Sequence, residues 1–305
     1  TLARLDPSAA RARVARLATH RVWQVRMYAT RAAVLLADTA LLRRMTGDQD
    51  GNVAEAAIEA LSVIGRHAED ATYLRALRST KPQVVRAAAT ALKGSPRTDV
   101  ALAAGAVYGR WRSRRVDSER DARLALLELM GRPASEDVRR KLEPLPREVV
   151  DLALGAHRDL TVQLGAKPHD TFVVRLRGDI APITAARVLQ LADRGYYRGT
   201  TWHRVIPDFV IQGGGHGASE YVGGDRFFRD ELGNLSHLRG GVGMSTRGHD
   251  TGDGQWFIDL SDLPRLDRDY TLFGEVVAGM EVVDAVLEGD RIESITRSER
   301  VRWIR

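Results

Sequence analysis

The chain has 305 residues, of which 44% are hydrophobic and 28% charged, and it carries a formal net charge of +6. These values are typical of a soluble globular protein with room for two domains, and no apolar run approaches the roughly 20 residues that cross a bilayer. There is no cysteine, which excludes disulfides, thiolate metal sites and a cysteine nucleophile. Because Thr1 replaces an initiator Met and no signal peptide is recognisable, we expect a processed chain whose compartment the sequence leaves unknown.

The two halves of the chain differ in composition. Residues 1–150 hold 7 glycines and a net charge of +10, whereas residues 151–305 hold 21 glycines and a net charge of −4. Such a change within one chain predicts a boundary between two kinds of domain.

The first half predicts a helical repeat array. Asn52–Leu61 and Gln83–Leu92 share a pattern of Val, Ala and Leu at a spacing of 31 residues, an earlier copy begins at Gln24, and a weaker one covers Asp121–Gly131. A period near 30 residues with two helices per unit indicates a solenoid, and the pattern resembles HEAT repeats. Second helices are expected between the copies, over Ala37–Thr46, Ala68–Ser79 and Thr98–Arg112.

Two motifs in this half suggest ligands. The loop from Asp48 to Glu59 has calcium-loop character, but Val53 stands where such a loop needs Gly, so an inter-repeat turn is preferred. The basic run Arg110–Arg115 contains an aromatic residue and could bind phosphates. A solvated face, or a docking surface for an acidic protein, is favoured over nucleic acid.

The second half predicts short strands and two isolated helices. Alternation at Leu160–Leu164 and Phe172–Leu176 indicates strands with one buried face. Many short strands with abundant glycine predict a closed antiparallel barrel. Further strands are expected at Val205–Gln212, Gly241–Met244, Gln255–Asp259, Thr271–Val277 and Ile292–Ile295, and helices at Asp179–Arg194 and Met280–Leu287.

One stretch of this half resembles a known family. Residues 202–214, W-H-R-V-I-P-D-F-V-I-Q-G-G, are similar to the signature of the cyclophilin-type peptidyl-prolyl isomerases, and other landmarks follow in family order, such as 240–245 and 254–258. The resemblance implies a closed eight-stranded antiparallel barrel with two helices, and X–Pro isomerisation without a cofactor. The sequence therefore predicts a HEAT-like domain at 1–150 and a cyclophilin-like domain at 157–305.

The resemblance also implies the site. Arg204 matches the arginine that donates to the prolyl nitrogen, and Gln212 matches the residue that orients it. The implied substrate-binding residues are Phe209, Val210, Thr246, Gln255, Phe257, Leu266 and Tyr270. Three departures stand out, because the family often has Trp at Arg265, His at Tyr270 and Met at Val210. Arg247 adds a bulkier cation beside the groove.

The sequence separations between the site residues predict part of the geometry of the site. Arg204 and Gln212 are eight residues apart, so an uninterrupted strand would place both on one face. Phe209 is five residues from Arg204 and would need Pro207–Asp208 to act as a bulge. The alternative role for Arg204 is a structural ion pair. The histidines have no ligand spacing, so no metal is expected.

The favoured function is a prolyl isomerase that acts on proline-containing clients, with a protein client or partner docked on the helical array. The alternative is a module that binds prolyl segments with little turnover. No cofactor and no membrane span are expected.

Overall fold

The computed structural model describes residues 2–114, 116–135, 146–147, 149, 151, 158–165, 170–224 and 226–298. The chain divides into two compact units, Thr1–Val138 and Arg139–Arg305. None of the described helices has the length and apolar character needed to cross a bilayer. The sequence repeat thus falls in the first unit and the family motif in the second.

The described elements of the first unit are all helical. The strongest sequence copies lie in α5 and α7, and the weak copy lies in α9, as the periodicity predicts. Single 3₁₀ turns at Arg66–Glu69 and Asp117–Glu119 lead into α6 and α9. The helices are α1 (Leu2–Leu5), α2 (Pro7–Leu17), α3 (Trp23–Leu35), α4 (Thr39–Met45), α5 (Gly51–Ile64), α6 (Asp70–Ala76), α7 (Pro82–Ala91), α8 (Val100–Trp111) and α9 (Arg120–Leu129).

Aspartates start three of these helices. Asp6, Asp38 and Asp50 each accept a hydrogen bond from a backbone N–H in the first turn of α2, α4 and α5. Such caps satisfy donors that the helix itself leaves unpaired. Pro7 and Pro82 occupy the first positions of α2 and α7, where a missing N–H costs nothing.

The first helices of successive repeats stack on one another. α3 packs on α5, α5 on α7 and α7 on α9. The shared core is made of small and aliphatic residues that let the helices approach closely, among them Ala33, Ala57, Ile58, Leu61, Val85, Ala88 and Leu126. The copies also touch at equivalent positions, since Gln83 Nε2 lies 3.4 Å from Asn52 Oδ1, 31 residues earlier. The copies in α5 and α7 therefore contact each other through equivalent sequence positions.

Among its described residues, the second unit contains an eight-stranded antiparallel sheet, the α-helices Pro182–Asp193 and Met280–Asp284, and a 3₁₀ turn at Pro264–Leu266. The strand order is β3-β4-β6-β5-β7-β2-β1-β8. Its core contains large side chains that are almost fully buried, including Phe172, Tyr197, Trp202 and Trp256. The elements are β1 (Arg158–Gln163), β2 (Thr171–Leu176), α10 (Pro182–Asp193), β3 (Trp202–Ile206), β4 (Val210–Gly213), β5 (Gly241–Met244), β6 (Trp256–Asp259), β7 (Leu272–Ala278), α11 (Met280–Asp284) and β8 (Ser294–Arg297).

The predicted closure of the barrel is wrong. Within the described residues the sheet is open, with β3 and β8 at its two edges. Among the described residues, β8 is short and pairs only with β1. The start of β3 is bonded to the turn before β8, since Trp202 N–H donates to Asp290 O and Ile292 N–H donates to Thr200 O. Because this turn occupies the edge of β3, Ile292 lies outside the strand in which the sequence placed it.

Candidate active site

A hairpin between β3 and β4 carries the two residues expected to act on substrate. Arg204 lies directly opposite Gln212 in the antiparallel register of these strands. The predicted single strand from Val205 to Gln212, with a bulge at Pro207–Asp208, is therefore wrong. An eight-residue separation fits one continuous strand and a tight hairpin equally well, which is why spacing alone misplaced the turn.

The hairpin turn follows from two residues. Phe209 N–H donates to Ile206 O at 3.1 Å, which closes a four-residue turn. Pro207 fixes the first central φ angle, and Asp208 takes the second with a positive φ of 58°. Aspartate tolerates this conformation better than most residues. The turn thereby places Phe209 just before β4, beside the arginine.

A chain of hydrogen bonds holds Arg204. Its Nη1 donates to Gln212 Oε1 at 3.0 Å, and Gln212 Nε2 donates to Ser245 Oγ at 2.8 Å. Gln212 is only 3% exposed, so its amide is fixed in one orientation. A guanidinium has five N–H donors, and from the described residues Arg204 receives only this one acceptor. Donors therefore remain for a ligand.

An apolar pocket lies beside the guanidinium. Val210, Phe257 and Leu266 are 2%, 5% and 8% exposed, and they form a small cluster with Phe209 and Tyr270. The Phe257 and Tyr270 rings meet edge to face, with centroids 5.6 Å apart. A ring-sized apolar group is the ligand that such a lining fits.

Gly243 on β5 makes room for this pocket. A Cβ atom on Gly243 would lie 2.3 Å from the Phe257 ring, inside its van der Waals surface. Any side chain at that position would displace the ring. A glycine on the neighbouring strand thus sets the depth of the pocket.

Two arginines flank the Phe209 ring. The Arg265 Cζ atom lies 4.4 Å from the ring centroid and the Arg204 Cζ atom lies 5.7 Å from it. Both distances are within the range of a cation–π contact. Arg265, which stands where the family often has Trp, is exposed and takes its place at the pocket rim through this contact.

The opposite wall brings in two residues that the sequence did not indicate. Ser245, Thr246 and Glu220 line the pocket with the expected residues. Ser245 could have been noticed, because it replaces an alanine of the family motif within reach of Gln212. Glu220 comes from a glycine-rich loop that carries no local pattern, so no signal pointed to it.

Gln255 is the one expected site residue that does not line the pocket. It is 1% exposed, and its Nε2 lies 3.3 and 3.4 Å from the backbone oxygens of Val222 and Glu220. Gln255 therefore holds the loop that supplies Glu220. The family resemblance placed Gln255 among the substrate-binding residues, whereas in the structure its contribution to the wall is indirect.

Arg247 is turned inward instead of standing in the groove. Its side chain is 7% exposed, lies 3.5 Å from an Asp253 oxygen and stacks over Phe227 at 5.3 Å. It also donates to Glu220 O. The expectation of an added cation at the groove is therefore wrong, because the charge is bound within the loop structure.

A buried pair of one histidine and one aspartate lies next to the pocket residue Phe257. The His237 ring stacks on Phe257 with centroids 5.6 Å apart, and His237 Nδ1 lies 2.9 Å from Asp259 Oδ2. The two side chains are 1% and 0% exposed. Burial raises the pKa of Asp259, and the bond to His237 opposes that rise. The pair therefore supports the Phe257 ring, which lines the pocket.

His203 lies on β3 next to Arg204, and its ring nitrogens are buried. Burial lowers the pKa of His203 to about 4, a backbone hydrogen bond with Thr201 opposes this shift, and the positive charge of Arg204 adds to it. The imidazole is therefore neutral near pH 7. In the described part of the chain no three His, Asp or Glu side chains are grouped as metal ligands.

Comparison with known proteins adds a family to this geometry. The model of the family described as cyclophilin type peptidyl-prolyl cis-trans isomerase/CLD matches residues 160–302. A peptidyl-prolyl cis-trans isomerase of Helicobacter pylori is 38% identical over 122 residues, which cover 39% of this chain and 75% of the relative. The peptidyl-prolyl cis-trans isomerase-like 1 of Neurospora crassa is 42% identical over 120 residues, with 37% and 72% covered.

A solved structure is also similar. The crystal structure of a cyclophilin type peptidyl-prolyl cis-trans isomerase from Cryptosporidium parvum is 24% identical to this chain, with a TM-score of 0.44. The match covers 48% of this chain and 99% of that one.

Proposed function

The chain belongs to the cyclophilin-type peptidyl-prolyl cis-trans isomerase family, and on that premise we propose that the Arg204 pocket accelerates rotation about X–Pro bonds in peptides and protein clients. The observation that carries the proposal is a guanidinium fixed by Gln212 and Ser245, with unused donors, beside an apolar pocket. A proline ring fits the pocket and its nitrogen then lies next to a donor.

The physical task is to favour the twisted amide. Conjugation gives the peptide bond a rotation barrier of roughly 18–20 kcal/mol, and an uncatalysed X–Pro bond takes tens to hundreds of seconds. In the twisted state the prolyl nitrogen regains a lone pair and accepts a hydrogen bond. A turnover time of about 10 ms requires a barrier lower by roughly 4–5.5 kcal/mol.

Arg204 supplies part of that reduction. A charge-assisted hydrogen bond that forms only with the pyramidal nitrogen contributes about 1.5–3 kcal/mol. The remainder comes from holding the ring in a dry site and fixing the flanking chain. No nucleophile, metal or cofactor is required for this reaction.

The other residues hold the substrate. Val210, Phe257 and Leu266 surround the proline ring, with Phe209 and Tyr270 at its rim. Gln212 orients the arginine and contacts the substrate, and the Thr246 backbone pairs with the substrate chain. Gln255 keeps the loop of that wall in place. Their burial and contacts around one pocket support these roles.

A protease-coupled isomerase assay on an Ala-Pro-Phe peptide tests the proposal. Arg204→Ala should lower kcat/KM by roughly 10- to 150-fold, the equivalent of one charge-assisted hydrogen bond. Arg297→Ala, which removes an exposed arginine paired with Asp193 on the same unit, is the matched control and should keep full activity. Equal rates for wild type and Arg204→Ala would leave only the second candidate, a module that binds prolyl segments.

We further propose that residues 1–150 form a HEAT-like domain that docks a client or partner, and that residues 157–305 form the isomerase domain. The ordered stacking of α3, α5, α7 and α9, with equivalent contacts 31 residues apart, supports the repeat assignment. A solenoid offers a long surface for a partner.

A further inference from the structure

A groove on the helical unit has the features of a peptide site. It runs between the end of α6 and the length of α8, and its cavity volume is about 620 Å³. That volume lies within the range of about 300–1,000 Å³ that is usual for binding pockets. Because residues from Asp99 to Arg114 line it along α8, its length suits a segment of polypeptide.

The floor of the groove is apolar and made partly of small residues. Leu74 and Leu77 form one side, and Ala103, Ala106 and Val107 of α8 form the other. Leu102 directly precedes Ala103 on α8 and is 79% exposed, a high value for a leucine. Alanines on the floor would allow a helix to approach closely.

The rim of the groove is basic. Arg78, Arg110 and Arg114 line it with a single acid, Asp99. Arg114 pairs with Glu119, and Asp99 pairs with Arg97. In the described part of the chain, Arg78 and Arg110 have no ion-pair partner of their own.

A second groove on the same unit shows the contrast. Of its four basic side chains, Arg86 and Lys93 contact acids of neighbouring helices, Glu59 and Glu128, and His67 contacts Asp70. Arg66 is the exception, with no ion pair among the described residues. Most of the charges of this second groove therefore serve the packing of the array. The charges of Arg78 and Arg110 have no such internal use, which leaves them available to a partner.

We propose that the groove between α6 and α8 docks an acidic amphipathic helix of a protein partner. The apolar floor takes the apolar face of the helix, and Arg78 and Arg110 pair with its carboxylates. α8 has 12 residues and is therefore about 18 Å long, which matches a partner helix of about three turns. This docking does not depend on the isomerase site.

Nucleic acid fits the same groove less well. Binding to a phosphate backbone needs a track of several cations and gains from aromatic faces for stacking. Here two unpaired arginines border an apolar floor, and Trp111 is 3% exposed and already covered by Arg114. Phosphates would have to lie on Leu74, Ala103 and Ala106.

Fluorescence anisotropy with the full chain tests the proposal. The probe is a fluorescein-labelled peptide, E-D-L-L-E-E-L-L-E-D-L-E, whose leucines fall on one face of a three-turn helix when it folds on binding. The double variant Arg78→Glu, Arg110→Glu should weaken binding by about tenfold or more through charge repulsion. Arg13→Glu, Arg16→Glu, on exposed positions of α2, changes the net charge equally and should bind as wild type.

Two further probes complete the test. The same peptide with serine in place of every leucine should lose binding, because it keeps the charge without the apolar face. Equal affinity of the leucine peptide for both double variants, or equal binding of the serine peptide, overturns the proposal. Tighter binding of a labelled 20-nucleotide single-stranded DNA, lost in Arg78→Glu, Arg110→Glu, would assign the groove to nucleic acid instead.

Discussion

The two units of the chain use their charged side chains differently. In the helical unit, ion pairs join one helix to the next: Arg86 bonds Glu55 and Glu59 of the preceding copy, and Arg26 bonds Asp48. Each of these ion pairs holds two neighbouring segments of the helical unit in register.

In the sheet unit, polar side chains from distant segments meet at one place. Arg204, Gln212 and Ser245 form a single chain of bonds, and His237 with Asp259 supports the pocket wall. These five groups come from five different strands or loops. A change at one of them should therefore alter the pocket, whereas a change in the helical unit should stay local. The following predictions test this contrast.

The largest effect is expected at the buried pair next to the pocket. His237→Ala leaves the Asp259 carboxylate buried without its partner, which costs about 3–5 kcal/mol of the free energy of unfolding. Urea denaturation followed by tryptophan fluorescence measures this loss. Replacing both residues by leucine should destabilise the chain less than His237→Ala alone, because no buried charge remains. A double variant as unstable as the single one would show that packing, and not the unpaired charge, dominates.

A pH effect of up to about 3 kcal/mol is expected from His203. Its pKa is near 4 in the folded protein and about 6.5 when unfolded, so between these values the unfolded chain binds the extra proton. The contribution of neutral His203 to the free energy of unfolding should be fully present above about pH 6.5, and it should be lost as the pH is lowered to 4. His203→Leu should remove this component of the loss between pH 7 and 4. If the free energies of unfolding of wild type and variant change in parallel between pH 7 and 4, the assignment of this loss to His203 is contradicted.

In the helical unit, Arg86 should matter more than an exposed pair. Arg86→Ala removes two bonds of 2.6 Å to Glu55 and Glu59 and should cost about 1.5–3 kcal/mol. Arg97→Ala breaks the pair with Asp99, in which both side chains are about half exposed, and should cost less than about 1 kcal/mol. Thermal unfolding measures both. Neither variant should change isomerase activity, which separates the two units.

The smallest effect is expected at Ser245. Ser245→Ala removes the acceptor of the Gln212 amide and should lower kcat/KM by roughly three- to tenfold, the value of one neutral hydrogen bond. KM should change little, because Arg204 itself remains. Ser245→Thr, which keeps the hydroxyl, should restore most of the activity. Loss of activity in both variants would point to packing in place of the hydrogen bond.

The sequence predicted repeating and alternating features well. The copies at 52–61 and 83–92 lie in α5 and α7, and the alternation at 172–176 matches β2. These patterns are local, since burial of one face fixes the period. The pocket lining, apart from Glu220 and Ser245, came from the family motif. The catalytic and binding roles of these lining residues remain predictions until their variants are assayed.

The errors have two physical origins. The hairpin at Pro207–Asp208 was missed because a spacing of eight residues fits a continuous strand as well as a tight hairpin. The open edge of β3 and the inward turn of Arg247 depend on partners far away in sequence. Residues 289–292 occupy the edge of β3, and Asp253 with Phe227 draws Arg247 inward. No local pattern encodes such contacts, so spacing could not predict them.

Two-dimensional NMR exchange spectroscopy on an Ala-Pro-Phe peptide tests the central claim most directly, because it measures cis–trans interconversion at equilibrium without a protease. With a catalytic amount of the full chain, exchange cross-peaks between the cis and trans alanine methyls should appear, and Arg204→Ala should weaken or remove them while the peptide still binds. Chemical-shift changes on binding without exchange cross-peaks for the wild type would contradict the account and identify a module that binds proline without turnover.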